Sequence, residues 1–195
     1  MAAGEDSRVR RTRAALIGAF DRLVLAGRPR RIRVADIVET AKVGRSTFYE
    51  HYKGADDIHL AALARPFAIL ADAAAGDGDE ARLTLLLAHF WENRRRARET
   101  FQGRMQIKVT RLLAAMIEER LEGAALAIPS RLAALQLAEA ALAPLRGWVA
   151  AEAPCTPQAL AGAICRCGRA LRAGLMEQDR GSSVSDCACP DGAAK

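Results

Sequence analysis

Apolar positions along this chain recur at steps of three and four, the spacing that lines one face of an α-helix. Nowhere do they alternate long enough to suggest a strand. Leu16, Ile17, Phe20, Leu23 and Val24 form the first such face. Their helix is expected from Arg8 to about Ala26, with Gly27 as its stop and Pro29 holding the next loop out of helix. Residues 1–7 read as disordered. Val34, Ile37, Val38 and Ala41 predict a short second helix. Lys42, Val43 and Gly44 break the pattern as a turn, with Val43 tucked toward the core, and a third helix follows from Arg45 to Tyr52. Phe48 and Tyr52, four apart, face inward on it, which leaves Arg45, Ser46, Thr47, Tyr49 and His51 outward. A helix this short is not stable alone and depends on packing.

Asp56 and Asp57 suit a helix start, here a fourth helix to about Ala64. Pro66 then opens another, to about Ala75. Gly76-Asp77-Gly78-Asp79 is the clearest loop. Leu83, Leu86, Leu87, Phe90 and Trp91 face one way on a helix ending near Arg94. Ile107, Leu112, Leu113, Met116, Ile117 and Leu121 do so on the next, stopped by Gly123. Pro129 opens a long helix through Leu132, Leu135, Ala138, Leu142, Leu145 and Trp148, which Pro144 would kink. Thr156 caps the last helix, with Pro157 at its first position and Leu160, Ile164, Leu171 and Leu175 on one side. No repeat is evident, so the class is all-α.

Charge changes this picture more than composition does. The formal net charge is +6 over 195 residues, yet residues 8–55 hold 12 Lys/Arg against 4 Asp/Glu, a net of +8. The remainder is therefore 17 minus 19, or −2. Positive charge sits with the short helices, where a polyanion would bind. The outward side chains of the third helix (a guanidinium, two hydroxyls, a phenol and an imidazole) suit phosphates and base edges. No signal peptide or membrane-length apolar run is present, so a soluble, cytoplasmic protein is expected. Five cysteines without an export signal read as unpaired thiols. Cys165 and Cys167, two apart on a helix, point about 200° apart and cannot share a metal. Cys187 and Cys189 lie in a Gly/Ser/Asp tail with no histidine near, and Cys155 stands in a turn.

The segment from Ile32 to Tyr52 resembles the DNA-binding domain of the tetracycline-repressor (TetR) family of bacterial transcription regulators. The resemblance covers about residues 8–63: the arginine-rich arm, the first helix, Asp36-Ile37-Val38-Glu39, Thr47-Phe48-Tyr49-Glu50-His51-Tyr52 and Asp57-Ile58. In the turn, the family's usual A-G-V-S is replaced by Ala41-Lys42-Val43-Gly44, which puts lysine where positive φ is favoured. Ala55 stands where a lysine is usual, and Lys53 is the nearby candidate for that phosphate contact.

The resemblance implies an N-terminal three-helix helix-turn-helix domain (8–63) and a C-terminal ligand-binding and dimerisation bundle (66–178), before a disordered tail (179–195). It implies a homodimer through the last two helices, whose Ala content and Gly162, Gly168 and Gly174 suit close approach. It also implies a repressor released from a palindromic operator by a small molecule. Arg45 is the first candidate for base reading, with Ser46, Thr47 and Tyr49 beside it. Tyr49, His51 and Lys53 are candidates for the phosphate backbone, with Arg33 a further DNA-binding candidate, although His51 reads equally as a surface histidine bonded within its own domain.

Pocket candidates are the bulky residues Phe67, Phe90, Trp91, Phe101, Met105, Met116 and Trp148, with His89 as a polar contributor. Each reads first as plain core. An apolar or aromatic effector is expected. The Arg94-Arg95-Arg96-Arg98 run reads as a solvated helix end, with an anionic ligand as the second reading. No catalytic motif or cofactor loop is present, so neither an enzyme nor a cofactor is expected. The alternative is a ligand-independent regulator, or one under redox or partner control, without a small-molecule pocket.

Overall fold

The computed structural model describes residues 2–26 and 32–177, and the side chains among them except those of residues 2–6 and Leu25. The expectations for Gly27, Pro29, Cys187, Cys189 and the tail lie outside the described residues. The described residues form nine helices. These are α1 (Ala2–Leu25), α2 (Val34–Ala41), α3 (Arg45–His51), α4 (Ala55–Ala74), α5 (Glu80–Glu92), α6 (Arg94–Phe101), α7 (Gly103–Arg120), α8 (Ser130–Val149) and α9 (Pro157–Leu175). The fold is all-α, a helix-turn-helix followed by a helical bundle. None of the described helices is long and apolar enough to cross a membrane.

Two apolar clusters organise it. Leu16, Phe20 and Leu23 of α1 pack with Ile37, Phe48, Tyr52 and Ile58, and Val34, Val38, Ala41 and Val43 close over them. That is the face the three-to-four spacing dictates, and it holds the seven-residue α3 in place. The larger cluster runs from Phe67 to Leu175 through α4–α9.

α4 belongs to both clusters, and here the structure departs from expectation. Pro66 does not open a new helix but lies inside one that continues to Ala74. Proline has no N–H to give the Ala62 carbonyl, an interruption worth about 3 kcal/mol in an unsupported helix. Burial of Ile58 before it and of Phe67 and Leu70 after it holds the helix together through the proline. α1 likewise starts earlier than expected, at Ala2 rather than Arg8.

The arginine run stands at a helix end, but at the start of the next helix rather than the end of α5. α5 stops at Asn93, Arg94, Arg95 and Arg96 form the first turn of α6, and Arg98 lies within it. Arg98 turns inward, its guanidinium donating to the Val149 and Ala150 carbonyls at 2.6 and 2.8 Å, so it satisfies the end of α8. Ile107 and Leu132, expected on buried faces, are 59% and 55% exposed.

Long-range polar ties fix the bundle. Arg120 of α7 donates to Asp72 at 2.6 Å and to the Ala68 carbonyl at 3.3 Å, clamping α4. Arg172 of α9 donates to the Ala75 carbonyl at 3.0 Å and to Asp77. Burial pushes the Glu139 carboxyl up, but hydrogen bonds from Arg146 and Thr110 outweigh it and leave the group below its ordinary value.

The glycines of α9 also serve the interior. A Cβ on Gly168 would lie 2.3 Å from the Ala73 carbonyl oxygen, so this residue lets α9 touch the backbone of α4. Gly162 is buried beside Glu80. Of the three, Gly174 alone has open space around it. The expectation that Gly168 faces a second subunit is therefore corrected: α4 already occupies that face.

Candidate nucleic-acid interface

α2, the turn and α3 place the candidate DNA-facing residues. Lys42 adopts φ 54° and ψ 42°, the left-handed conformation that a tight helix end requires, and its N–H returns to the Glu39 and Val38 carbonyls. Glycine would take that conformation more cheaply, since a side chain there carries a penalty of about 1–2 kcal/mol. Val43 packs on the N-terminal cluster. Gly44 starts α3 without a side-chain cap.

Phe48 is wholly buried and Tyr52 nearly so, with ring centroids 5.8 Å apart. Phe48 also meets Tyr49 edge to face at 5.4 Å, while Tyr49 remains 51% exposed. Arg45, Ser46 and Lys53 are exposed, and Thr47 and His51 are half-buried. All six groups thus reach solvent to some degree on or just beyond α3. Glu50 is exposed on the same helix, and nothing in the chain's spacing singled it out. The Lys53 side chain is free to reach outward, while its backbone N–H donates to Asp57 at 3.0 Å and steadies the start of α4.

Arg33 has a structural tie as well. Asp36 accepts the Arg33 backbone N–H at 3.1 Å and pairs with its guanidinium at 3.2 Å. The carboxylate, rather than a Ser or Thr at the helix start, thereby closes the first turn of α2. Arg33 is largely exposed, so a phosphate would compete with Asp36 for it.

The aromatic pocket candidates of the bundle make ring-to-ring contacts with one another. Phe67 stacks on Phe101 with centroids 6.2 Å apart, Phe90 meets Phe101 edge-on at 5.6 Å, and Trp91 lies on Trp148 at 4.8 Å. Trp148 Nε1 donates to the Cys155 carbonyl at 3.0 Å. His89 is exposed and bonded with Asn93, and Met116 is half-buried at the core's edge. Met105, by contrast, lines a cavity.

That cavity, about 650 Å³, is an open cleft between the N-terminal cluster and α6–α7. Phe20, Val24 and Ile32 form one wall, Arg95, Arg96 and Glu99 of α6 the other, and Arg104, Met105 and Lys108 of α7 a third side. Across it His59 of α4 and Thr100 of α6 are hydrogen-bonded, Nε2 to Oγ1 at 3.2 Å, and the His59 ring rests on Phe20 with centroids 5.2 Å apart. Burial holds the His59 pKa below the ordinary histidine value, with Asp56 pulling the other way. Lys108 pairs with Asp56 at 2.8 Å. Sequence reasoning missed His59, because nothing in linear spacing signals a contact spanning 41 positions.

Among the described residues no group of three or more His, Cys, Asp and Glu side chains converges as a metal site. Cys165 is buried, which pushes its thiol pKa up, whereas Cys155 and Cys167 are exposed.

No family model and no curated protein matches the chain. Among solved structures, a TetR transcriptional regulator from Streptococcus agalactiae aligns over 86% of this chain and 99% of its own, at 23% identity and a TM-score of 0.46. The dihydroxyacetone kinase operon activator DhaS aligns over 85% of this chain and 98% of its own, at 19% identity and a TM-score of 0.50. This chain thus has the fold of the operon activator DhaS, with its helix-turn-helix on α2–α3 and its bundle on α4–α9.

Proposed function

We propose that this protein is a dimeric, sequence-specific DNA-binding transcription regulator and not an enzyme. The observation that carries the reading is α3: Arg45, Ser46, Thr47, Tyr49 and His51 stand on the outer face of a helix pinned beneath by Phe48 and Tyr52. A rigid helix with an exposed polar face is what the major groove admits, and a guanidinium near its start can bridge guanine O6 and N7. In this reading Arg45 reads a base, and Thr47 and Tyr49 touch a thymine methyl or a phosphate. Lys53, His51 and Arg33 anchor the backbone, and Arg8, Arg10, Arg11 and Arg13 of α1 add salt-sensitive affinity.

One such unit makes too few contacts to be selective in a genome. A two-fold dimer would set two α3 helices about 34–36 Å apart, over successive major grooves, and so read a palindrome. The face we assign to the partner copy lies on α8 and α9. Leu132, Gln136 and Ala143 are exposed along one helix, and Ala159, Ala163, Cys167 and Ala170 along the other. We take residues 8–63 as the DNA-binding unit and 66–178 as the sensing and dimerising one. A small molecule preferring the badly spaced conformer would release DNA by population shift.

Selection of bound sequences from a random duplex pool at moderate salt tests this. An enriched palindrome is the expected outcome; a folded dimer that enriches nothing would refute the reading.

A further inference from the structure

We propose that the cleft between the helix-turn-helix and α6–α7 is the small-molecule site, and that it takes a monoanionic amphiphile of the aromatic carboxylate class. Its regulatory consequence rests on the DNA-binding reading above; the binding itself does not.

The aromatics of the bundle are packed ring on ring, whereas the cleft offers about 650 Å³, within the usual range for a small-ligand site of roughly 300–1,000 Å³. Its lining is two-sided. Phe20, Val24 and Ile32 offer an apolar wall, and Met105 adds an adaptable thioether. Opposite stand Arg95, Arg96 and Arg104, which have no ion-pair partner among the described residues. Lys108 is neutralised by Asp56, and Glu99 is the one other carboxylate among the described lining residues, so among these residues three guanidiniums face one acid. That balance favours an anion, and planar guanidiniums bind carboxylates with two parallel hydrogen bonds. A neutral apolar molecule would leave the arginine side unused, and a bare inorganic anion would leave the wall of Phe20 and Ile32 wet.

The position gives occupancy a mechanical meaning. The cleft is walled on one side by α1, which packs on the helix-turn-helix, and on the other by α6 and α7 of the bundle. The His59–Thr100 bond and the Lys108–Asp56 pair tie α4 to α6 and α7 within it. A carboxylate drawn to Arg96 and Arg104 with its ring against Phe20 would wedge that junction and turn the N-terminal unit on α4.

Isothermal titration of the full chain at pH 7, without DNA, tests the site using 2-naphthoate, neutral 2-naphthol and inorganic phosphate. Naphthoate is expected to bind at least about tenfold more tightly than either control, and Arg96→Gln/Arg104→Gln to weaken it by at least about tenfold. Both arginines reach solvent at the cleft, and thermal melting checks that the variant folds; Ile32→Ser offers a second route by removing the apolar wall alone. Absence of naphthoate binding, or binding indifferent to both variants, overturns the proposal. So does loss of DNA affinity in the arginine variant without naphthoate binding, which would make these guanidiniums a DNA contact. Naphthoate binding by a protein that selects no DNA sequence supports the cleft and refutes the regulator reading. Sequence selection without naphthoate binding does the reverse.

Discussion

At the scale of single residues, exposure and charge separate readers from anchors on the helix-turn-helix. Arg45 is exposed at the first position of α3 and is tied to no carboxylate among the described residues, so its guanidinium is available to a base edge. Lys53 lies just beyond the helix and offers a point charge on a flexible stem. Arg45→Ala is therefore expected to flatten sequence preference, losing about 1–3 kcal/mol on the selected site and little on random DNA. Lys53→Ala should weaken all sequences alike and reduce the salt slope by about one. Filter binding across a salt series checks both, and equal losses on specific and random DNA for the two variants would dismiss the assignment.

His59 supplies a second residue-level expectation. Its folded pKa lies below the value it has in the unfolded chain, because burial beside Phe20 disfavours the imidazolium. A group shifted that way contributes stability that is present above its unfolded pKa and is lost as pH falls through the folded one. Thermal melts should therefore drop between pH 7 and 5 more steeply in the wild type than in His59→Gln, which keeps a hydrogen-bonding side chain near Thr100. Parallel slopes would show that the histidine is not the titrating group.

At the scale of elements, the contact between α4 and α9 decides where α9 can lie. Gly168 sits against the Ala73 and Ala74 carbonyls, and a methyl there must push two helices apart. Gly168→Ala is expected to destabilise the protein by about 1–3 kcal/mol, the usual result of overpacking. Gly174→Ala, with nothing within 4 Å of the added atom, should stabilise it by about 0.5–1 kcal/mol. Urea denaturation of the pair distinguishes the two glycines. Their spacing along the chain looks the same, since small residues recur all along α9.

At the scale of the whole molecule, the proposed function needs two recognition helices, and hence a partner copy on α8 and α9. Ala163 is exposed on α9, unlike Gly168, so a charge there disturbs the proposed interface without touching the core. Ala163→Glu is expected to give monomers by light scattering at unchanged helicity, with loss of palindrome binding. A persisting dimer would move the interface elsewhere.

The helices α2 and α3, the turn between them and the buried pair Phe48 and Tyr52 were legible because they rest on local periodicity and turn chemistry. The left-handed Lys42 and the Thr156 cap were legible for the same reason. Unpaired arginine charge could be counted, but not located. Which carbonyls Arg98 and Arg172 would reach, and which arginines would be left facing a cleft, depends on segments distant in sequence. Likewise the continuation of α4 through Pro66 was decided by burial on both sides of the proline, which outweighs its local preference. By itself the sequence determined an all-helical chain with a positively charged helix-turn-helix, because helical spacing and charge placement are written residue by residue. Only the tertiary structure decided that the large aromatics fill the core, that Gly168 faces α4, and that an open cavity lies at the junction beside His59. Such features arise from the packing of helices far apart in the chain.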